Sequence, residues 1–151
     1  MMTIEERKQE AKNYRKTTSR KALGQWTVKT ERPEVEQLIR DQEQNRQKDL
    51  IPIRRERMSF SPFSFFRGSA AIQAYDLSAS PGTPFRVQAC GDAHISNFGI
   101  FASPERRLVF DINDFDETLP APFETDVKRL FASIEICGRQ KGLPKAARTD
   151  I

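Results

Sequence analysis

The sequence predicts an α+β fold in which a short antiparallel hairpin is flanked by helices. Three observations carry that expectation. Segments 33–48 and 123–140 place apolar residues at helical spacing. Residues 85–90 alternate apolar and polar, as a half-buried strand does. The apolar runs Phe98-Gly99-Ile100-Phe101 and Leu108-Val109-Phe110 are separated by the turn chemistry of Ser103-Pro104-Glu105-Arg106.

Taken in order, residues 3–22 are polar and lysine-rich, and read as a frayed helix or a solvated terminus. Residues 1–32 are therefore expected to form a polar N-terminal arm, and 33–151 the domain itself. Leu23-Gly24-Gln25-Trp26 is a break. Pro33 suits the first position of a helix, where its missing N–H costs nothing. Val35, Leu38 and Ile39 then follow on one narrow apolar face, and Leu50-Ile51-Pro52-Ile53 is expected to end that helix. In Arg54 to Ser69 the phenylalanines Phe60, Phe63, Phe65 and Phe66 are expected in the core, and Ser61-Pro62 starts a helix or turn. Ala70 to Leu77 is helical, Ser78 to Pro84 is a loop, and the strand 85–90 delivers Gly91-Asp92 at its end. After Leu119-Pro120-Ala121-Pro122 the last helix carries Phe123, Val127, Leu130, Phe131 and Ile134 at spacings of three and four.

A chain of 151 residues is enough for one modest core. No apolar run approaches the ~18 residues a membrane span needs, so no membrane partner is expected. The first residues are charged from Glu5 onward and lack the apolar segment of a signal peptide. The two cysteines, Cys90 and Cys137, have no metal or disulfide spacing, which fits a reduced cytoplasmic protein. The net charge is +4, and residues 1–67 hold 16 Lys and Arg against 10 Asp and Glu. That excess can meet a phosphorylated ligand. The basic residues are interleaved with Glu and Gln and no nucleic-acid motif is present, so nucleic acid is not the expected partner. The oligomeric state is not legible.

The chemistry concentrates in Cys90–Glu117, which contains the only histidine, His94, together with Asn97 and the acids Asp92, Glu105, Asp111, Asp114, Asp116 and Glu117. Asp92 and Asn97 stand five apart on a loop after a strand. Protein kinases use that spacing, H-R-D-x-x-x-x-N, so that one loop presents a base to the acceptor hydroxyl and an amide oxygen to Mg²⁺. A returning hairpin then brings back a metal-chelating aspartate, here Asp114, with Asp116 beside it. Mg²⁺ favours a few hard oxygens, and Asn97, Asp114 and Asp116 are the candidates. Cys90-Gly91-Asp92-Ala93-His94-Ile95-Ser96-Asn97 also resembles the H-G-D-x-H-x-x-N loop of kinase-like small-molecule phosphotransferases of the aminoglycoside and choline type, with cysteine in the first position. His94 joins Asp92 as a catalytic candidate, its imidazole expected to hold the loop by hydrogen bonding. Asp126, 12 residues after Asp114, matches the further aspartate those enzymes carry on the next helix, although the helix dipole and capping also account for it. Asp111 is expected to satisfy loop N–H groups.

Residues 50–140 resemble more closely a bacterial family named domain of unknown function 2252. The signatures are RMSFSPFSFFRG (57–68), CGDAHISNFG (90–99) and LVFDINDFDETLPAPFETDVKRL (108–130). The resemblance implies longer complete members, so this chain is expected to be an N-terminal portion, an incomplete kinase-like domain. No G-x-G-x-x-G loop is present. Either Arg57 and Arg67 serve the nucleotide phosphates as guanidinium forks, or a further part of the protein completes the site. The leading expectation is a phosphotransferase using Mg²⁺ and ATP on a small-molecule acceptor. The alternatives are a metal-dependent phosphoester hydrolase that clusters Asp92, His94, Asp114 and Asp116 around two metals, and a non-catalytic binding module.

Overall fold

The computed structural model describes residues 2–27 and 30–150. Positions 1, 28 and 29 of the expected arm, and the last residue 151, lie outside the described residues. The fold is α+β as expected: among the described residues, eight α-helices accompany two antiparallel two-stranded sheets.

Helix α1 (Ile4–Thr17) is better formed than a frayed arm. Thr3 and Glu6 make a capping box, with the Glu6 carboxylate accepting the Thr3 N–H at 2.7 Å and the Thr3 hydroxyl accepting the Glu6 N–H at 3.2 Å. It buries no residue, and touches the body where the Tyr14 ring meets Phe85 edge-on at 5.2 Å. A short helix, α2 (Arg20–Leu23), follows.

Helix α3 (Val35–Glu43) starts two residues after Pro33. The proline at 52 does not stop it, contrary to expectation. The chain instead turns through Lys48–Leu50 into a separate helix, α4 (Ile51–Ser59), and Pro52 lies in the first turn, where a helix needs no donor. Helix α5 (Pro62–Arg67) is capped by the Ser61 hydroxyl, which accepts the Ser64 N–H at 3.0 Å. Helix α6 (Ala70–Leu77) follows. Ile39, Met58 and Ile72, one each from α3, α4 and α6, form the apolar core, with Val35 and Leu38 packed against it. Around it Arg55 donates to both oxygens of buried Glu43, Nε to Oε1 at 2.9 Å and Nη2 to Oε2 at 2.6 Å. Arg54 bridges Gln42 and the Gly68 carbonyl, joining α3 and α4 to the end of α5.

Strand β1 (Arg86–Ala89) buries only Ala89, so it is more exposed than its alternation suggests. Its partner is β4 (Leu119–Pro122), in a segment for which the sequence carried no strand expectation. Pro120 and Pro122 are tolerated because a two-stranded sheet consists of edges. Strands β2 (Phe98–Ala102) and β3 (Leu108–Ile112) form the expected hairpin, in register from Phe98 opposite Ile112 to Ala102 opposite Leu108. Helix α7 (Glu124–Gln140) matches its expected span, and a short helix, α8 (Lys145–Thr149), follows.

The apolar side of α7 is not its most buried one, for Leu130 and Ile134 are only half-buried. Phe123, Val127 and Phe131 are exposed, Phe131 at 57%, while Glu124, Arg129 and Ser133 are buried. The phenylalanines at 60–66 also depart from expectation. Phe60, at the end of α4, and Phe65 are exposed and Phe63 and Phe66 only half-buried, and α5 buries none of its six residues. The accessible surface totals 11240 Å². A compact monomer of this mass exposes about 7,900 Å², so much apolar surface stays outside the small core.

Candidate active site

The polar inner face of α7 builds the site by holding the loop after β1. Asp126 accepts the Cys90 N–H on Oδ2 at 2.7 Å and the Gly91 N–H on Oδ1 at 3.0 Å. One turn on, Arg129 Nε donates to Asp92 Oδ1 at 2.7 Å. A further turn on, the Ser133 hydroxyl accepts the Ile95 N–H at 2.9 Å and donates to the Leu130 carbonyl at 2.6 Å. Asp126, Arg129 and Ser133 share one side of a helix at spacings of three and four, and together they grip residues 90–95. Asp126 thus clamps the loop instead of capping its own helix, whose N-cap residue is Phe123.

Arg129 is 1% exposed and fully engaged. Besides Asp92 it donates to Gln73 Oε1 at 2.9 Å and to the Phe66 carbonyl, and its guanidinium lies 3.8 Å over the Phe66 ring centroid. Burial lowers its pKa, against the pull of the Asp92 carboxylate. An arginine stays charged under such a shift, so it and Asp92 form a cation–anion pair.

The loop interior is equally determined. The Asn97 side-chain N–H donates to the Asp92 carbonyl at 2.8 Å. His94 does not hold the loop through its ring, contrary to expectation. Its backbone does so, the N–H donating to Asp92 at 2.8 Å and the carbonyl accepting from Asn97 at 2.9 Å. The ring is 3% exposed, with Nε2 3.8 Å from Asp92 Oδ2, its edge towards Phe63, and Nδ1 without a partner among the described residues. Burial lowers the His94 pKa more than Asp92 raises it, with Arg67 and Arg129 lowering it further, so the ring is neutral near pH 7.

The returning segment packs directly on this loop. Cys90 Sγ donates to the Asp114 carbonyl at 3.1 Å, and the Thr118 hydroxyl donates to the Ala89 carbonyl at 2.7 Å. Gly91 has φ of +85°, and a Cβ there would stand 2.1 Å from the Glu117 carbonyl oxygen. Only glycine meets both conditions. Asp114 Oδ1 accepts the Asp116 N–H at 3.2 Å, and Asp111 accepts the N–H of Ile112 at 2.8 Å.

Asp92, His94, Asn97 and Asp114 line one cleft of about 1300 Å³ together with Arg57 and Arg67. Asp116 is exposed and is not in its lining, and Glu117 reaches Arg46 at 3.7 Å. The side chains of Arg57 and Arg67 make no hydrogen bond or ion pair among the described residues and both residues are exposed, whereas Arg54, also on the cleft, is occupied by Gln42, Gly68 and Glu43. Among the described residues no group of three or more His, Cys, Asp or Glu is placed to hold a metal ion. Asp92, Asn97, Asp114 and Glu56 all contribute side-chain oxygens to the lining of the cleft.

The description "uncharacterized protein conserved in bacteria", domain of unknown function 2252 (DUF2252), matches residues 46–151, more than half of the chain. The chain belongs to the DUF2252 family. No curated protein and no solved structure matches it. The DUF2252 match takes in α4, α5, both sheets and all of α7, hence every residue just described in the cleft. Among the described residues no helix is long and apolar enough to cross a membrane.

Arg129 and Ser133 escaped the sequence reading. The available signal was the polar stripe Asp126, Arg129 and Ser133 on a helix whose apolar residues drew attention to the opposite side.

Proposed function

We propose that this DUF2252 protein is a kinase-like phosphotransferase that uses Mg²⁺ and ATP to phosphorylate a small-molecule hydroxyl. The observation that supports this reading is the grip of α7 on loop 90–95, which keeps Asp92 and Asn97 on the same cleft as Asp114, Arg57 and Arg67. Phosphoryl transfer asks little covalent chemistry of a protein and much positioning. A loop held by backbone clamps supplies positioning.

Arg129 occupies Asp92 Oδ1, so Oδ2 is the atom that receives the acceptor hydroxyl. The guanidinium at 2.7 Å holds this carboxylate in one orientation. Its main work is to orient the hydroxyl and take its proton late in the transfer. The Asn97 amide spends its N–H on the Asp92 carbonyl, which makes Oδ1 the atom for a cation. Asp114 adds a carboxylate, and the two fit Mg²⁺, which takes one or two carboxylates plus phosphate oxygens and keeps waters for the rest. Bound there, Mg²⁺ neutralises charge on the phosphates. Arg57 and Arg67 pair with the remaining phosphate oxygens.

Titration calorimetry with Mg²⁺-ATP tests the proposal. Wild-type protein should bind, and Asp114→Ala should lose at least tenfold in affinity, about 1.4 kcal/mol. Equal binding by the variant would remove Asp114 from the site, and no binding by wild type would remove the nucleotide.

A further inference from the structure

We propose that Phe60 is the platform on which the nucleotide base stacks, so that α4 and α5 take the place of a glycine-rich loop. The inference rests on the phosphotransferase reading and names the residue that tells a nucleotide from a simple phosphate. Phe60 is 87% exposed, the most exposed large apolar side chain among the described residues. It lines the cleft with Leu50 and Ile53, themselves exposed, and so gives an apolar lip to a cavity otherwise rich in charge. Isolated exposed apolar side chains need no explanation. This one sits at the end of α4, its N–H donating to the Arg57 carbonyl at 3.4 Å, so Arg57 is one turn away on the same helix.

Helix α5, which carries the second arginine, packs against α4, which carries the first. Met58 packs so tightly on Gly68 that a Cβ there would meet Met58 Cγ at 2.6 Å, and Arg67 is the neighbour of that glycine. The charge of Arg67 is in turn felt at His94, beside Asp92. An apolar lip, two guanidinium groups without a side-chain partner among the described residues and the Asp92 loop therefore share one cavity of about 1300 Å³. That is larger than a typical small-ligand pocket of ~300–1,000 Å³, with room for a nucleotide and an acceptor together. A nucleotide has the matching division, a flat apolar base and an anionic tail. A phosphosugar or inorganic phosphate would leave the lip without use. Stacking on an aromatic ring accepts any base, because every base has a π-face.

The test compares calorimetric titrations of Mg²⁺-ATP and Mg²⁺-tripolyphosphate into wild type, Phe60→Ala and Phe60→Trp, with circular dichroism to verify folding. Phe60 is exposed, so its truncation should leave the fold intact. Phe60→Ala should weaken ATP binding about tenfold and change tripolyphosphate binding by less than about twofold, while Phe60→Trp retains ATP. Unchanged ATP affinity in Phe60→Ala, or a parallel loss of both ligands, overturns the inference and leaves the phosphotransferase reading standing. A wild type that binds neither ligand removes that reading and this inference with it.

Discussion

Replacing Arg129 with methionine removes the charge from the centre of the site while keeping a long side chain in place. The structure shows what is lost: the bond to Asp92 Oδ1 at 2.7 Å, the bond to Gln73 at 2.9 Å, the donor to the Phe66 carbonyl, and the guanidinium contact on the Phe66 ring. Breaking a buried ion pair from one side costs about 3–5 kcal/mol, because the remaining charge is left without compensation. The Asp92 side chain keeps 18% of its surface exposed, which places the loss near the lower end, about 3 kcal/mol. With a urea m-value of ~2 kcal/mol/M, the unfolding midpoint should fall by about 1.5 M. A double-mutant cycle with Asp92→Asn separates the ion pair from the packing, and the coupling should reach about 1.5 kcal/mol. A coupling below about 0.5 kcal/mol would refute the reasoning, leaving Asp126 and Ser133 alone to hold the loop.

Other predictions concern the same loop. Gly91→Ala combines a left-handed backbone, which costs ~1–2 kcal/mol, with a methyl group 2.1 Å from the Glu117 carbonyl oxygen. The melting temperature should drop by about 10 °C, whereas Gly142→Ala, with φ of +72° but nothing within 4 Å, should lose only about 3–6 °C. Equal drops would show that the contact with Glu117 is not the cause. Asp126→Ala removes two charge-assisted bonds and should cost about 2–3 kcal/mol. Hydrogen exchange of the Cys90 and Gly91 amides should accelerate at least tenfold, and unchanged protection would show that Asp126 is not their anchor. His94 is held below its ordinary pKa of 6.5 by burial, so as pH falls the unfolded chain takes up this proton first. Its contribution to stability is complete above pH 6.5 and is lost as pH falls toward the depressed folded value, with a slope of at most ~1.4 kcal/mol per pH unit. Urea midpoints between about pH 5 and 7.5 should show that slope in wild type and not in His94→Asn. The same slope in both proteins would assign it to another group.

The helices and the hairpin were legible where local chemistry decides them. Ser61-Pro62 announced the start of α5, and the turn after Ala102 joined β2 to β3. Pro52 misled, because a proline reads alike as a stop and as a first-turn residue, and only the packing of Met58 against Ile39 and Ile72 selects the second. Strand β4 was invisible because Pro120 and Pro122 argue against a strand, and its existence depends on β1, 33 positions earlier, for pairing. The candidate site was legible as a spacing: Asp92, Asn97 and Asp114 do line one cleft. The inner face of α7 was not, because hydrophobic periodicity assigns the apolar side to the interior, and here the interior is a polar loop that needs donors and acceptors.

The grip of α7 also has a consequence for how this sequence can drift. Asp126 and Ser133 hold backbone N–H groups, which every residue except proline supplies, so the exposed side chain at 95 is free to change without loosening that hold, while at 90 it is the contact of Sγ with the Asp114 carbonyl that constrains the choice. Arg129 holds a side chain, and Asp92 cannot lose its charge without leaving a buried guanidinium with no counter-ion. Across descendants of this chain, positions 92 and 129 are therefore bound to change charge as a pair or not at all, while 126 and 133 outlast changes in the residues they hold.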